Sequence, residues 1–443
     1  MGEFFRGVTS GIKYEIIRKL GEGGQGTVAL VENKQTGKMY AAKWYKAASA
    51  EQRQRLEVLV SGGCPAAPDR GIKFIWPIEI IGYDASKSGF GYVMPLIDTG
   101  RFVSLNQIVF GRVKQPNLKI LTRVSYLLAL ALDTIHIAGL AYCDINQGNL
   151  MLDPDSGDIV ICDNDNVVIN NADVPVKGVW EFMAPEVALG AAHPNAETDK
   201  YSIAVMLYYL WMWEHPMEGK KTLNIYSWDI PAKKKLYAYE PVFVFDPGDD
   251  SNNAEGMPEL ETSVRRWERM CPPLLKELFT TVFTRGVKDP GYRVQLLDWQ
   301  RVFLELNANT VRCPRCDSVN VWDGKQDPFT CFNCQSEIPF RLYLAADHGF
   351  AGESKVPVMP GIALRRHHLN IVKFDSTSEN PAGTIEPHPQ DPRAAILRNN
   401  TTRPWKYRTA EGAEYTVEPD QARALLPNCE LVIENATVWV RER

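Results

Sequence analysis

Apolar and polar positions alternate with a period of two between residues 14 and 45, as is typical of antiparallel strands. A glycine-rich stretch from Gly21 to Gly26 interrupts this alternation, and further strands are predicted near residues 73–81 and 90–94. Residues 48–60, between these strands, carry a helical pattern. The first part of the chain is therefore predicted to be a small sheet with one helix.

The second part of the chain is mainly helical in pattern. Residues 117–139 are apolar on most faces and predict a core helix, and Tyr201 to Trp213 predict another buried helix, too short to span a bilayer. The lysine-rich and aromatic stretch 232–258 is predicted to be a long loop. Helices at 259–284 and 293–307 follow it.

From residue 341 onward, short segments rich in valine, isoleucine and tyrosine alternate with glycine, proline and asparagine turns. This spacing indicates a small antiparallel β-sandwich or barrel over residues 341–443. The predicted strands are 341–345, 362–373, 383–386, 395–398, 404–408, 414–417, 430–434 and 437–441.

Composition narrows the classes of function. The 443 residues are 45% apolar, enough for two or three domains. A net charge of -5 and an isoelectric point near 5.9 argue against a general nucleic-acid or anionic-membrane binder. The first residues lack an apolar signal core. We therefore expect a cytoplasmic protein with no nucleic-acid or membrane partner.

Four of the nine cysteines form two CxxC pairs separated by a fourteen-residue spacer. They are Cys313, Cys316, Cys331 and Cys334. Two such pairs supply four thiolates with the spacing of a structural zinc site, which leaves no open coordination position. We predict a zinc ribbon over residues 309–340; four buried free thiols are the alternative interpretation.

Two further features suit phosphate chemistry. Gly21, Gly23 and Gly26 lie between two predicted strands, where the absence of Cβ atoms lets backbone amides approach phosphates. Lys43 ends the third strand, which fits a phosphate contact or a solvated sheet edge. No helix follows the glycines, so the sequence disfavours a dinucleotide-binding fold.

An acid, an amide and a second acid stand close together in the middle of the chain. Asp144 is followed five positions later by Asn149, and Asp163 comes after a short predicted hairpin. Phosphoryl-transfer enzymes use such a set to orient a hydroxyl and hold magnesium. Taken alone, the same residues also fit an ordinary hairpin.

Six motifs stand in the order and spacing of a protein kinase, and the chain resembles the eukaryotic-like protein kinases over about residues 14–305. The motifs are Gly21 to Val28, Lys43, Asp144 to Asn149, Asp163, Ala184-Pro185-Glu186 and Asp199 to Ser202. The resemblance implies a two-lobed α+β fold over residues 1–308, with an N-lobe at about 12–94 and a C-lobe at about 98–308. It also implies ATP and Mg²⁺ as cofactors and a protein substrate.

A narrower resemblance rests on Tyr142-Cys143-Asp144, the run from Cys162 to Val167 and the predicted ribbon. These features resemble bacterial kinases grouped with von Willebrand and phosphatase partners in tellurite-resistance clusters. This resemblance implies a role in bacterial stress signalling and partner proteins of those two kinds.

The kinase resemblance assigns roles to individual positions. Asp144 would be the catalytic base, Lys43 would contact the α- and β-phosphates, and Glu57 would form an ion pair with Lys43. Asn149 and Asp163 would bind magnesium. The residues around the nucleotide would be Leu20, Gly21, Gly23, Gly26, Val28, Ala41, Met94, Leu96 and Met151. Two architectural roles follow for Glu186, paired with Arg293, and for Asp199, bracing the catalytic loop.

Three positions depart from the family pattern. Asn146 replaces the lysine that usually contacts the γ-phosphate, which would slow the reaction. Cys143 replaces the arginine that clamps an activation-loop phosphate, and no Ser, Thr or Tyr occurs from Asp163 through Glu186. Asp165 replaces a glycine, which suits either a second magnesium ligand or a turn. We expect control that does not use activation-loop phosphorylation.

Two functions of different classes follow. The first is an active protein kinase that transfers the γ-phosphoryl group of ATP to Ser or Thr. The second is a nucleotide-binding pseudokinase scaffold that acts through its ribbon and sandwich. Residues 397–401 with Trp405 faintly resemble a forkhead-associated domain, but the arginine and serine pattern that reads phosphothreonine is not evident, so a purely structural sandwich is the alternative.

Overall fold

The computed structural model describes residues 3–47, 49–67, 69–83, 89–172, 178–347, 352–369, 381–391 and 394–443. The central part of the predicted activation loop, 173–177, and the end of the predicted strand 362–373 lie outside these residues.

The N-terminal lobe is a strongly curved sheet with one helix. The elements up to residue 94 are β1 (Phe4–Gly7), β2 (Lys13–Glu22), β3 (Gly26–Asn33), β4 (Met39–Tyr45), α1 (Ala50–Gly62), β5 (Ile72–Phe74), β6 (Glu79–Tyr83) and β7 (Gly91–Met94), of which β5 lies outside the curved sheet and pairs with a strand of the C-terminal lobe. Strands β1-β2-β3-β4-β7-β6 close into a barrel because β1 pairs with both β2 and β6. The lobe therefore starts at Phe4, before the predicted boundary near residue 12.

Helix α1 begins with a capping box. The Ser49 hydroxyl accepts a hydrogen bond from the Gln52 amide, and the Gln52 side chain accepts one from the Ser49 amide. Leu56 and Leu59 are its buried residues, so these two leucines fix which face of α1 packs on the sheet.

The C-terminal lobe is mainly helical, with short strands at its border with the N-lobe. Its elements are β8 (Val103–Ser104), α2 (Leu105–Val109), α3 (Leu118–Ile137), β9 (Leu140–Ala141), β10 (Leu150–Leu152), β11 (Ile159–Ile161), β12 (Val168–Ile169), α4 (Pro185–Ala188), α5 (Ala196–Met212), α6 (Ile230–Lys234), α7 (Glu261–Arg269), α8 (Pro273–Thr280) and α9 (Leu296–Ala308). Helices α3, α5 and α9 share one hydrophobic core.

Helix α3 is long and apolar enough to cross a membrane by length and composition alone. Within the fold, however, twelve of its residues are buried, including Leu127, Ala129 and Ile135. This burial matches the prediction of a core helix, because a helix that is apolar on most faces also suits the centre of a large lobe.

Two strand pairs carry the central polar residues. Strands β10 and β11 form an antiparallel pair that places Asn149 just before β10 and Asp163 just after β11. Strands β9 and β12 pair antiparallel on either side of the segment that contains Asp144. Backbone hydrogen bonds between these paired strands therefore hold Asp144, Asn149 and Asp163 at the border between the lobes.

Two further sheets and a cysteine module complete the chain. Their elements are β13 (Thr310–Arg312), β14 (Val319–Val321), β15 (Leu342–Asp347), β16 (Glu353–Pro357), β17 (Ala363–Leu364), α10 (Arg366–Leu369), β18 (Gly383–Pro387), β19 (Ala395–Asn399), β20 (Trp405–Arg408), β21 (Glu414–Val417), β22 (Ala422–Ala424), β23 (Glu430–Ile433) and β24 (Ala436–Glu442). A six-stranded sheet, β16-β15-β24-β23-β20-β21, and a four-stranded sheet, β17-β18-β19-β22, share a hydrophobic core with the cysteine module.

Several elements differ from the sequence predictions. Within residues 362–369, the described part of the predicted strand 362–373, the structure has β17 followed by helix α10. The predicted loop 232–258 contains the end of α6 and a π-helical turn, Lys235–Tyr239. The predicted helix 259–284 is interrupted between α7 and α8, where Pro272 and Pro273 stop the first helix and start the second.

Candidate active site

The side chain of Lys43 lies inside the cleft between the lobes and is surrounded by acceptors. Strand β4 places it next to β3 and β7, and only 6% of the side chain is exposed. Its Nζ donates to Oδ1 and Oδ2 of Asp165 at 3.1 and 3.0 Å and to Oε1 of Gln25 at 3.0 Å. Oδ1 of Asp163 lies 3.6 Å from the same nitrogen. Lys43 is thus a buried cation and not a solvated edge lysine.

The expected ion pair between Lys43 and Glu57 is not formed. Glu57 lies on the outer face of α1, with its side chain 55% exposed, and its Oε1 accepts a hydrogen bond from Nε of Arg53 at 3.1 Å. The physical reason is the phase of the helix, because burial of Leu56 and Leu59 turns Glu57 towards solvent. The role assigned to Glu57 is therefore corrected.

Asp165 is the acid that takes this place. Its side chain is 2% exposed, and Oδ2 accepts hydrogen bonds from both Lys43 and the Tyr45 hydroxyl, the latter at 2.7 Å. Magnesium needs ligand oxygens open to phosphate and water, whereas both oxygens of Asp165 are occupied by protein donors. The geometry therefore does not support the expectation that Asp165 binds magnesium. The alternative, a residue that only forms a turn, does not fit either, because the side chain contacts Lys43 and Tyr45.

Asp163 has the opposite surroundings. Its side chain is 44% exposed, at the end of β11, where the backbone is left-handed with φ of 48°. Carboxylate and amide oxygens are the ligands that magnesium prefers. Asp163 and Asn149 therefore fit the expected magnesium site, as an open carboxylate and a neighbouring amide.

The charges in this cluster shift one another's protonation. Burial lowers the pKa of Lys43, but the nearby carboxylates of Asp165 and Asp163 outweigh that effect and leave the pKa raised. Burial raises the pKa of Asp163, with Lys43 opposing the rise. Lys43 is consequently held in the charged form that a phosphate contact requires.

Asp144 is held by three side-chain amides. Its Oδ1 accepts from Nδ2 of Asn146 at 3.1 Å, and its Oδ2 accepts from Nδ2 of Asn166 at 2.9 Å and of Asn149 at 3.3 Å. Burial raises the pKa of Asp144 even though these amides favour the carboxylate. A fixed carboxylate with a raised pKa can accept a proton from a hydroxyl.

Asn146 faces Asp144 in this structure. Its amide also donates to the Asp144 carbonyl at 3.1 Å, and its Oδ1 accepts from the Gly148 amide at 2.9 Å. The side chain that replaces a lysine is therefore used to orient the acid and to close the turn.

The glycine-rich loop joins β2 and β3. Gly21 pairs with Val28 across the two strands, and the Gly23 amide donates to the Gly26 carbonyl at 2.9 Å. A Cβ on Gly26 would lie 2.3 Å from the Trp44 carbonyl oxygen, so this position requires glycine for close packing. The space beside Gly21 and Gly23 is open, as an approaching phosphate would need.

The residues predicted to contact adenine divide into two groups. Ala41, Met94, Val28 and Met151 belong to one hydrophobic cluster, and Ala41 is the register partner of Met94. Leu20 and Leu96 are exposed, with 39% and 36% of their surface accessible. The structure brings the first group together as one wall and leaves the two leucines outside that cluster.

Two predicted architectural contacts are present. Asp199 accepts hydrogen bonds from the Tyr142 amide at 2.7 Å and the Cys143 amide at 3.0 Å, which braces the segment before Asp144. Arg293 donates from both terminal nitrogens to Glu186 at 2.7 and 2.8 Å, and its side chain is fully buried.

Sequence reasoning missed three site residues: Gln25, Tyr45 and Asn166. Gln25 and Tyr45 contact the Lys43 and Asp165 pair, and Asn166 contacts Asp144. Tyr45 lies two positions from Lys43 on one strand, so both side chains point to the same face, and this spacing was a usable signal. Asn166 comes close only through the 3₁₀ turn Asn164–Asn166, which the pattern does not reveal.

The four paired cysteines form a second cluster. The ligand atoms of Cys313, Cys316, Cys331 and Cys334 all lie within 4.8 Å of one another, and two Sγ–Sγ distances are 3.6 Å. Hydrogen bonding with the side chain and backbone of Ser318 lowers the pKa of Cys316 to about 6. The set fits a tetrahedral zinc ion, because soft thiolates within this distance are the ligands that zinc prefers.

The kinase-like cleft agrees with comparison to known proteins. The protein kinase domain family model matches residues 14–255, more than half of the chain. This chain therefore belongs to the protein kinase family.

Its relatives include serine/threonine kinases at low identity. The chain is 27% identical to the serine/threonine-protein kinase YPK1 of Saccharomyces cerevisiae over 251 residues, covering 54% of this chain and 33% of that protein. It is 28% identical to human ribosomal protein S6 kinase alpha-6 over 232 residues, covering 48% and 29%. The chain thus spans about a third of the length of these relatives.

A solved structure, the ROP18 kinase domain in complex with AMP-PNP and sucrose, is similar over 68% of this chain and 81% of that chain. The sequence identity is 18% and the TM-score is 0.46.

Proposed function

We propose that this protein transfers the γ-phosphoryl group of ATP to a Ser or Thr hydroxyl of a protein. The observation that carries the proposal is the convergence of Asp144, Asn149, Asp163 and Lys43 at one cleft, with the acid held by three amides. Membership of the protein kinase family and the names of the relatives support the same reaction.

In this proposal, each side chain has one task. Asp144 orients the acceptor hydroxyl and takes its proton while the hydroxyl oxygen bonds to the γ-phosphorus and the bond from that phosphorus to the β–γ bridging oxygen breaks, so that ADP leaves. Lys43 neutralises charge on the α- and β-phosphates, and the backbone of the glycine-rich loop covers them. Asn149 and Asp163 would hold magnesium, which supplies further charge neutralisation when it is bound.

A second candidate, a nucleotide-binding pseudokinase scaffold, is favoured by one observation. Asn146 has no positive charge and binds Asp144, so a γ-phosphate contact of the family pattern is missing. This competitor binds ATP but transfers nothing, and the two functions differ in whether phosphate reaches an acceptor.

The resemblance to bacterial kinases supports wider proposals. We infer a cytoplasmic stress-signalling role, with von Willebrand-type and phosphatase proteins as partners, a structural zinc ion in the cysteine module and a C-terminal sandwich. We also infer regulation without activation-loop phosphorylation, because no Ser, Thr or Tyr occurs from Asp163 through Glu186.

The acceptor is tested with a mixture of peptides that contain Ser, Thr or Tyr as their only hydroxyl residue. After incubation with Mg²⁺ and ATP, mass spectrometry is expected to locate phosphate on Ser and Thr peptides. Phosphate on Tyr peptides alone would overturn the acceptor assignment, and ATP binding with no phosphopeptide would favour the scaffold.

A further inference from the structure

The charges that surround Lys43 come from unexpected elements. Helix α1 also carries a partly buried cation, Arg55. Burial raises the pKa values of Tyr45 and Cys143, and the charge of Arg55 opposes both rises. Nε and Nη1 of Arg55 are buried and have no hydrogen-bond partner among the described residues.

The two acids on α1 that lie closest to this face point elsewhere. Glu57 pairs with Arg53, and Glu51 is exposed in the first turn of the helix. No carboxylate of α1 therefore lies within ion-pair distance of Lys43 in the part of the chain that the structure describes.

The acid that holds Lys43 comes from the 3₁₀ turn Asn164–Asn166. Asp165 contacts Nζ of Lys43 with both carboxylate oxygens and also accepts from Tyr45. At 2% exposure, this carboxylate is sealed beneath the cleft, whereas Asp163 is open to it. The buried Asp165 thus holds Lys43, whereas the accessible Asp163 is open to a metal ion.

We propose that Asp165 is the positioning residue for Lys43, in the place that an acid on helix α1 was expected to occupy. The inference rests on the proposed function, because it concerns how Lys43 is presented to a nucleotide phosphate. It assigns the anchoring of the lysine to the segment that also carries Asp163. Helix α1 then contributes no acid to the pair.

This arrangement has a physical consequence. A lysine on a flexible stem contacts phosphate well only when its ammonium group is fixed. The bidentate contact with Asp165, supported by Tyr45 and Gln25, fixes Nζ before any ligand arrives. The nucleotide affinity that depends on Lys43 should therefore depend on Asp165 even without metal.

The test separates this role from metal binding. Affinity for a fluorescent ATP analogue is measured with excess EDTA and with saturating Mg²⁺, for wild type, Asp165→Asn, Asp163→Asn, Glu57→Gln and the matched control Glu51→Gln. Each variant is first shown to unfold cooperatively on heating. Asp165→Asn is expected to weaken binding about tenfold in both conditions, whereas Asp163→Asn should weaken it mainly with Mg²⁺.

Two outcomes overturn the inference. One is wild-type affinity of Asp165→Asn in EDTA with a loss only in Mg²⁺, which would make Asp165 a metal ligand. The other is a loss for Glu57→Gln equal to that for Asp165→Asn. A wild-type protein that binds no nucleotide in either condition would overturn the proposed function itself.

A double-mutant cycle distinguishes an effect that acts through Lys43 from a general loss of structure. Once Lys43→Met has removed the ammonium group, adding Asp165→Asn should cause no further loss of affinity. The double variant should also melt at a higher temperature than Lys43→Met alone, because that single change leaves a buried carboxylate unpaired. Additive losses of affinity would contradict the proposal.

A second variant keeps the test informative if Asp165→Asn does not fold. Tyr45→Phe removes only the hydroxyl that supports Asp165. It is expected to weaken metal-free binding about threefold, and unchanged binding would count against the network.

Discussion

Asp163 and Asp165 stand two positions apart, yet burial gives them different chemistry. The first is open to the cleft and suited to a metal ion, and the second is sealed against Lys43 and Tyr45. Three of the roughly four lone pairs of the Asp165 carboxylate accept hydrogen bonds from Lys43 and Tyr45, and its side chain is only 2% exposed, which closes it to a hydrated divalent cation. At the scale of single residues, accessibility and not residue type separates the two roles.

Nucleotide stabilisation tests these assignments together. Mg²⁺ and ATP are expected to raise the melting temperature of the wild type, because a ligand that binds only the native state stabilises it. Lys43→Met and Asp163→Ala should each remove most of that rise. Differential scanning fluorimetry measures the shift, and equal shifts in all three proteins would contradict both assignments.

The positions of several candidate site residues were predictable because the motifs that carry them are local. Asp144, Asn149 and Asp163 lie where the sequence placed them, since short strand pairs fix their separation. The partner of Lys43 was not predictable in this way. The assignment of Glu57 as the partner was wrong because burial of Leu56 and Leu59 decides which face of α1 points inward. In so polar a helix, the hydrophobic pattern of the sequence does not define that face.

At the scale of elements, one ion pair ties helix α4 to the segment before α9. Glu186 lies on α4, and fully buried Arg293 just precedes α9, so the bidentate contact joins two distant parts of the C-lobe. Removing one partner of a buried pair leaves the other charge uncompensated. This contact is therefore an architectural element of the lobe.

Glu186→Gln is expected to lower the free energy of unfolding by about 2 kcal/mol, because Arg293 keeps a hydrogen-bond acceptor but loses its counter-charge. Urea titration measures the change. Glu414→Gln, which removes an exposed partner of Arg408, is the matched control and should cost much less, because solvent screens an exposed pair. Equal effects of the two changes would contradict the structural role of the buried pair.

Elements were predicted best where periodicity was strong. The core helices α3 and α5 and most C-terminal strands were found, whereas β1, β16 and β22 were not identified. These three strands have three to five residues, too few to show a period. Helix α10 replaces part of a predicted strand, and its two histidines are buried, a packing effect that local propensity does not encode.

At the scale of the whole molecule, the cysteine module is packed against the kinase C-lobe. Val321 of β14 belongs to the C-lobe core, and Asp323 accepts a hydrogen bond from the Leu274 amide at the start of α8, at 2.7 Å. Asn309 donates to the Lys355 carbonyl at 2.6 Å. Changes in the module should therefore affect the stability of the C-lobe.

We expect about one zinc ion per chain in chelator-free protein, because four thiolates at this spacing bind zinc tightly. Cys331→Ser should lose the metal and lower the melting temperature, whereas Cys64→Ser, at an exposed cysteine outside the cluster, should do neither. Elemental analysis and thermal melting measure both effects. Absence of zinc from the wild-type protein would contradict the prediction of a metal site.

Glu305 lies where the end of α9 contacts β16, and it is expected to make the stability of this contact depend on pH. Burial raises its pKa to about 7, although the Lys355 amide donates to it at 3.3 Å. Between the ordinary pKa of 4.5 and this value, the native state keeps a proton that the unfolded state has released. Stability contributed by this group is therefore present at low pH and is lost as pH rises through about 7.

Glu305→Gln should remove the loss of stability that occurs as pH rises, because glutamine does not ionise. The variant is expected to be more stable than wild type by about 1–2 kcal/mol at pH 8 and equal to it near pH 4.5. Urea titration at both pH values measures the difference, with Glu268→Gln, an exposed acid on α7, as the control. A constant difference at all pH values would show that Glu305 does not titrate between these limits.

Phosphoryl transfer by this protein is expected to depend on Asp144. The most direct measurement follows label from γ-labelled ATP into protein, with Mg²⁺, for the wild type and Asp144→Asn, after both are shown to bind the nucleotide. Loss of the Asp144 carboxylate is expected to lower the transfer rate by at least about 100-fold without an equal loss of nucleotide affinity. Equal incorporation by the two proteins, or none by the wild type, would contradict the account.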